Sequence, residues 1–487
     1  MTTAPGLSRG SLTAVAARVL TATMPGRPVV SRSALDAMLS ADVKTVAGLS
    51  AGSRRLVGGA ILRSRVYSAL AEDSIDLADF EAVWLPRTSG DDLLPDVRSL
   101  CHAAVAEAYL TSGLVRQGTL QARLAGDYAD EADNDACRYR ALALLACSLA
   151  LNGEFTRAEE ASVRCGELEA ANRWVQNTSG LPLFLADMMI AYARLDADSL
   201  ESLRGRFALV PGQGPIWIAF GQLATGWLCM LREDYDGALV AATGVSSGSD
   251  ASLIPRLVTG FSAGLQGMAL VHRGEPGRAL NLLDGLDSLG DHALCFDLQR
   301  ATAYLQLGEN REALLTTDRC LRMGSKHNLR TLSSILLRRA VANHRLGHVD
   351  AADKAFSEAF RIMVAAGALT PFLGLAADEL DLLLARLVQR EPDLAQAVAD
   401  VSHRAEARPK NQSPVLMPRL TQRESVVADR LRSDVPLGDI AASLYVSTNT
   451  LKSQLRSLYA KLGVSSREEA VDLLERGGFY ERAHPEH

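Results

Sequence analysis

Apolar positions recur at helical spacing through the first 400 residues, without the strand and helix alternation of an α/β domain. From about residue 100 to 360 the pattern repeats as an apolar helix, a small-residue turn and a second helix carrying Ala. The clearest copy is Leu149-Ala-Leu-Asn-Gly153-Glu-Phe155-Thr-Arg-Ala158, and others turn at Glu233, Gly274, Gly308 and Gly347. The steps between these turns are 80, 41, 34 and 39 residues, so the first gap holds two units; a weak copy at Asp196 fills it, and another lies upstream at Gly113. Gly permits a tight turn, the apolar residue two positions later packs into the pair, and Ala lets the helices approach. Seven turns predict about fourteen helices. Trp174, Trp217 and Trp227 fall on helical faces in this region and are expected in the core.

The pattern changes between Val401 and Arg419, where Pro409, Pro414 and Pro418 among Asn, Gln and Ser read as a linker. Beyond it, Thr421 and Glu424 form a capping box for a helix with Val427 and Leu431 on one face. Pro436 suits the first turn of a second helix whose buried stripe is Leu437, Ile440, Ala441 and Leu444. After a break at Tyr445-Val446, Ser447 caps a third helix. Leu451, Leu455, Leu458 and Leu462 lie on one face of it, while Asn449, Lys452, Ser453 and Arg456 lie opposite. Gly463 suits the C′ position, and Ser466 to Glu469 begins a fourth helix running through Leu473 and Leu474.

Two short helices joined by a tight turn, the second with a polar and basic outer edge, meet the requirements of a helix-turn-helix DNA reader. The hydroxyls and amides of Ser447, Thr448, Asn449 and Thr450 are expected to hold phosphate, and Lys452 and Arg456 to reach guanine edges. Lys461 completes the local positive charge.

This module resembles the LuxR-type (NarL/FixJ-type) helix-turn-helix family. The resemblance rests on Leu420-Thr-Gln-Arg-Glu424, Ile440-Ala441, Val446-Ser447, Thr450-Leu-Lys452 and Lys461-Leu-Gly-Val464, followed by Arg467 and Ala470-Val471. It implies a four-helix domain that binds promoter DNA as a homodimer, with Lys452, Ser453 and Arg456 at base-reading and phosphate-contacting positions and the last helix at the dimer contact. RNA polymerase is a further implied partner. Gln454 stands where the family often has His, which bears on the sequence read and not on the fold.

The repeats resemble a tetratricopeptide array whose period has drifted towards 40, an irregular α-bundle being the alternative. The fold class expected is all-α: a helical-repeat solenoid followed by the four-helix module. Leu49-Ser-Ala-Gly-Ser-Arg-Arg-Leu56 resembles the segment after the ATPase module of large ATP-dependent LuxR-type regulators, implying a relative without that module. Repeat domains of the maltose-activator type further imply a body that binds a small effector or a protein partner. The organisation expected is an N-terminal tail (1–30), a helical cap (31–95), repeats (96–400), a linker (401–418) and the DNA-binding domain (419–482). The alternative function is a repeat-based adaptor with a vestigial C-terminal module.

Composition refines this picture. The 487 residues carry 51 Lys+Arg against 57 Asp+Glu, a formal net charge of −6, which gives no sign of a polyanionic partner. The average hides two unlike regions: residues 1–418 hold the whole excess of acid, whereas 440–466 contain Lys452, Arg456 and Lys461 and no acid. Local positive charge is what a groove-binding helix needs. No Lys follows a Gly, which excludes a nucleotide-binding P-loop, and neither a G-x-S-x-G elbow nor an H-E-x-x-H zinc helix is expected. His344 and His348 are separated by Gly347 and read as turn residues; no catalytic, metal or cofactor constellation stands out, so no enzyme is expected. Seven Cys without C-x-x-C spacing read as buried, reduced thiols. Arg18 interrupts the one apolar run near the start, and Ile216–Leu231 is shorter than the ~20 residues of a membrane span. A cytoplasmic, nucleoid-associated protein without a membrane partner is expected.

Overall fold

The computed structural model describes residues 8–25, 27, 31–66, 93–174, 180–208, 215–245, 254–406, 420, 422–432, 435–462, 464 and 466–476. Among them the regular structure is 24 α-helices with short 3-10 turns, and the only β element is an isolated bridge between Leu289 and Leu294. The all-α expectation holds.

The chain begins with α1 (Arg9–Thr21), α2 (Arg32–Leu39), α3 (Val43–Ala47) and α4 (Ala51–Val66). The expected tail therefore contains a helix. Its Pro and Gly residues fall at positions 5, 6, 10, 25, 26 and 28, and only the exposed Gly10 enters the stretch that coils. There Leu12, Ala16, Val19 and Leu20 share one face and are buried against Val57 and Ala60 of α4 and Leu100 and Ala104 beyond it.

Seven helix pairs follow: α5 (Pro95–Thr111) with α6 (Val115–Glu131), α7 (Asp135–Asn152) with α8 (Phe155–Asn172), α9 (Leu181–Ala193) with α10 (Ala197–Ala208), α11 (Pro215–Leu231) with α12 (Tyr235–Val245), α13 (Arg256–His272) with α14 (Pro276–Leu283), α15 (Phe296–Gln306) with α16 (Asn310–Met323), and α17 (Leu329–Arg345) with α18 (Val349–Ala366). Each pair turns on one residue with left-handed φ: Gly113 (76°), Gly153 (90°), Leu195 (61°), Glu233 (61°), Gly274 (74°), Gly308 (76°) and Gly347 (78°). The amide after each reaches back across the turn, as Glu154 does to the Leu149 carbonyl (2.9 Å), Asp234 to Cys229 (2.9 Å) and His348 to Asn343 (2.8 Å). This is the Schellman ending, which satisfies carbonyls that the finished helix leaves open. The weak copy turns on Leu195, one residue before the expected Asp196.

The first helices of successive pairs pack on one another and form the inner layer, with the second helices outside. Inner helices are consequently apolar nearly all round: in α9 only Asp187 and Tyr192 escape full burial. Trp217 and Trp227 are buried as expected, and Trp174 packs partly buried against the same core. The inner layer also curls until its ends meet, with α5 touching α13 and α7 touching α17. Asp291 donates its amide to the Gly113 carbonyl (3.0 Å), Arg330 donates from Nε to the Leu151 carbonyl (3.3 Å), and the Leu369 amide donates to the Ala193 carbonyl (2.7 Å). The concave side is thereby a cavity of about 140 Å³.

Helices α19 (Ala377–Arg390) and α20 (Ala395–Glu406) end the body. Residues 401–406, expected in the linker, continue α20, because Val398 and Val401 bury into the core around Phe360. The remainder of the expected linker lies outside the described residues. At the other end, Glu107 of α5 forms a 2.7 Å ion pair with Arg140 of α7 and a second with Arg63 of α4; all three side chains are buried, tying the cap to the first repeats. The seven cysteines are free thiols, six of them buried, and burial pushes Cys101 and Cys147 up to about 12. No helix among the described residues is long and apolar enough to cross a membrane.

Candidate DNA-binding surface

The C-terminal domain comprises α21 (Gln422–Leu431), α22 (Leu437–Ser443), α23 (Thr448–Leu462) and α24 (Arg467–Arg476), packed on their own core. Leu451, Leu455, Leu458 and Leu462 are buried, against Val427, Ala428 and Leu431 of α21, Ile440 and Ala441 of α22, and Ala470 and Leu474 of α24. The alternating four- and three-residue spacing of these leucines fixes which way α23 faces.

The turn between α22 and α23 is another Schellman ending. Tyr445 takes φ 54°, and the Val446 amide donates to the Ala441 carbonyl at 3.0 Å. Ser447 then caps α23, its Oγ accepting from the Thr450 amide at 3.1 Å and lying 2.8 Å from the Thr450 hydroxyl. Arg467 closes the domain from the far side, donating to the carbonyls of Leu431 (3.1 Å) and Val435 (3.0 Å).

With its apolar stripe buried, α23 presents Ser447, Thr448, Asn449, Thr450, Lys452, Ser453 and Arg456 to solvent, so seven of the eight candidate residues form one exposed surface. The Lys461 side chain lies outside the described residues, as do Thr421 of the expected capping box and Gly463. Glu424 accepts from the Ser457 hydroxyl at 3.5 Å, and Gln454 is half-buried, between the two faces. Neither Lys452 nor Arg456 forms an ion pair with a described residue, so both cations remain available to an anionic partner.

Residues 418–474 match the family model described as bacterial regulatory proteins, luxR family. The C-terminal domain is of the LuxR type. Among curated proteins, the chain is 31% identical over 88 residues to the transcriptional regulatory protein YdfI of Bacillus subtilis (strain 168), covering 18% of this chain and 39% of that protein. It is 40% identical over 52 residues to the CsgBAC operon transcriptional regulatory protein of Escherichia coli (strain K12), covering 11% and 24%. The probable csgAB operon transcriptional regulatory protein of Salmonella typhimurium (strain LT2) matches to the same extent. The chain thus spans about two fifths or less of the length of these relatives, and the LuxR-type domain is the part matched by the family model.

Two other groupings bear on chemistry. Gly48-Leu-Ser50-Ala-Gly52 has the G-x-S-x-G spacing of a hydrolase elbow, which requires a strand before the Ser. Here α3 precedes it, and Ser50 Oγ accepts the Ser53 amide at 3.3 Å as a cap on α4. The string that resembles the post-ATPase segment is therefore a helix start. Outside the LuxR-type domain, the body brings His292, Cys295, Cys320 and His327 together, a grouping that their separation in sequence conceals.

Proposed function

We propose that the chain is a regulator of transcription that binds promoter DNA as a dimer through the exposed face of α23, with the repeat body receiving a small effector or a protein partner. The observation that carries this reading is that a capped helix of a LuxR-type domain exposes two cations, neither ion-paired to a described residue, and a row of hydroxyl and amide side chains on one edge. A helix of that form fits the major groove, where phosphate contacts position the protein and side chains at base edges read the sequence. The names of the matched relatives support the same reading.

The body's cavity supports a small effector over a large one. It is lined by Phe155, Tyr192, Trp227, Phe261, Arg330 and Arg338 among others. Both guanidiniums are buried deeply enough that desolvation lowers them to about 10; Arg330 donates to carbonyls, and Arg338 to carbonyls and the Thr302 hydroxyl (3.3 Å). A cavity with aromatic walls and two cations that pair with no carboxylate among the described residues suits a compact anion with an apolar body. Sequencing genomic fragments selected by the purified chain at a stated salt concentration tests the DNA reading, because phosphate contacts make affinity salt-dependent. Enriched sites with two-fold symmetry are expected. Absence of enrichment would overturn it in favour of an adaptor built on the repeats.

A further inference from the structure

Three separate segments of the body converge on one buried point. His292 and Cys295 come from the loop between α14 and α15, Cys320 from the last turn of α16, and His327 from the turn before α17. The candidate donor atoms of all four lie within 4.8 Å of one another, and all four residues are buried. Cys295 Sγ is 3.6 Å from Cys320 Sγ, and Cys320 Sγ is 3.6 Å from His292 Nδ1.

These distances match a known geometry. Tetrahedral zinc with Zn–S near 2.3 Å and Zn–N near 2.0–2.1 Å holds its sulfurs about 3.8 Å apart and its S and N donors about 3.5 Å apart. The Cys295–Cys320 and Cys320–His292 pairs already stand near that spacing, and the whole donor set falls within 4.8 Å.

His327 supplies an independent sign. Its Nδ1 lies 2.9 Å from the Asn328 carbonyl, which can only accept, so Nδ1 carries the proton and Nε2 bears a lone pair. Nε2 is buried, in a residue only 1% exposed, and has no hydrogen-bond partner among the described residues. An acceptor stripped of water and left unpaired is costly unless something electron-poor occupies the space before it. A backbone carbonyl orienting the other ring nitrogen is the usual outer partner of a metal-binding His. Asp297, which accepts from the Cys320 thiol at 3.5 Å, is itself paired with Arg300 and Arg319.

We infer that His292, Cys295, Cys320 and His327 form a closed tetrahedral zinc site that staples the seam of the repeat body. Four protein ligands leave no open position, which makes the site structural and not catalytic. Zinc enters as the divalent ion, and any protons on the two thiols leave to solvent, giving a neutral Cys₂His₂ centre. The segments it joins are those that close the array: Asn328 donates its amide to the Asp291 carbonyl (2.8 Å), Asp291 reaches Gly113, and Thr331 donates to the His292 carbonyl (2.9 Å). Sequence spacing hid the site because its ligands run H-x2-C and C-x6-H, separated by two helices, without the C-x-x-C pair that marks zinc fingers.

The test uses the full chain purified without chelator. Elemental analysis is expected to give one zinc per chain, falling below about a tenth in Cys295→Ser and in Cys320→Ser. Because those variants can fail to fold, cobalt is also exchanged into the unaltered protein. A thiolate-to-cobalt charge-transfer band, together with the visible bands of tetrahedral cobalt at one equivalent, is expected. Sub-stoichiometric metal with no cobalt spectrum would overturn the site, as would a mass two hydrogens light from a Cys295–Cys320 disulfide. Full metal content retained in folded cysteine variants would do the same.

Discussion

The backbone of Arg330 lies so close to Gly153 that a Cβ built on Gly153 would stand 2.7 Å from the Arg330 nitrogen. Gly153 therefore serves two purposes, the left-handed turn of its own helix pair and the close approach of the far end of the array. Gly308 serves only the first, since nothing lies within 4 Å of the Cβ it lacks. Replacing Gly308 by Ala is expected to cost the left-handed penalty of about 1–2 kcal/mol. Gly153→Ala must in addition part the seam, and is expected to lower the midpoint of thermal unfolding of the full chain clearly further. Equal losses in the two variants would show that the seam contributes nothing.

That comparison also marks what was legible in the sequence. The Gly turns were readable because a tight turn selects Gly locally, and α23 was readable because Leu451, Leu455, Leu458 and Leu462 lie on one face whatever surrounds them. The turn at Leu195 was faint because a residue other than Gly adopts the left-handed conformation there, held by the same hydrogen bonds. Closure of the array was invisible. It depends on Gly113 meeting Asp291 and Ala193 meeting Leu369, and no local pattern records contacts so distant along the chain. The same holds for the four buried metal-type ligands. Helix α1 was obscured by prolines and glycines that flank it without entering its buried face.

Exposure separates residues that should read DNA from residues that hold the reader together. Lys452→Ala and Arg456→Ala remove exposed cations and are expected to weaken binding to a selected DNA site by about 1–3 kcal/mol each, with helical content unchanged. Leu455→Asp places a carboxylate in a position that is 5% exposed and is expected to unfold the LuxR-type domain instead. A gel-shift titration at fixed salt, paired with circular dichroism, checks both. Unchanged affinity in both cation variants would remove α23 as the reading helix.

Asp187 gives the body a pH dependence of definite sign. Burial raises its carboxyl from 3.8 to about 6, partly opposed by the Ser162 hydroxyl, which donates to it at 2.6 Å. The folded chain thus holds this proton more tightly than the unfolded chain. Stability from this group falls as pH rises from about 4, and the loss is complete above about 6. Asp187→Asn cannot ionise, so its thermal midpoint relative to the unaltered chain is expected to climb across that window and level off above it. Melting curves from pH 4 to 7 check the trend; a difference that stays constant with pH would rule out the titration.

Tyr445 occupies the turn of the helix-turn-helix with φ 54° and 97% of its side chain exposed. It bears the left-handed penalty and recovers almost nothing by burial. Tyr445→Gly removes that penalty at the cost of a more flexible unfolded chain, so the net gain is expected to reach at most ~1 kcal/mol. The effect should be confined to the LuxR-type domain. Amide exchange in the full chain resolves it: amides of α22 and α23 that exchange through opening of the domain should slow by up to about fivefold. Those of the repeat body should not change. Faster exchange in α22 and α23 would mean that the phenol ring stabilises the turn by a contact that its exposure does not reveal.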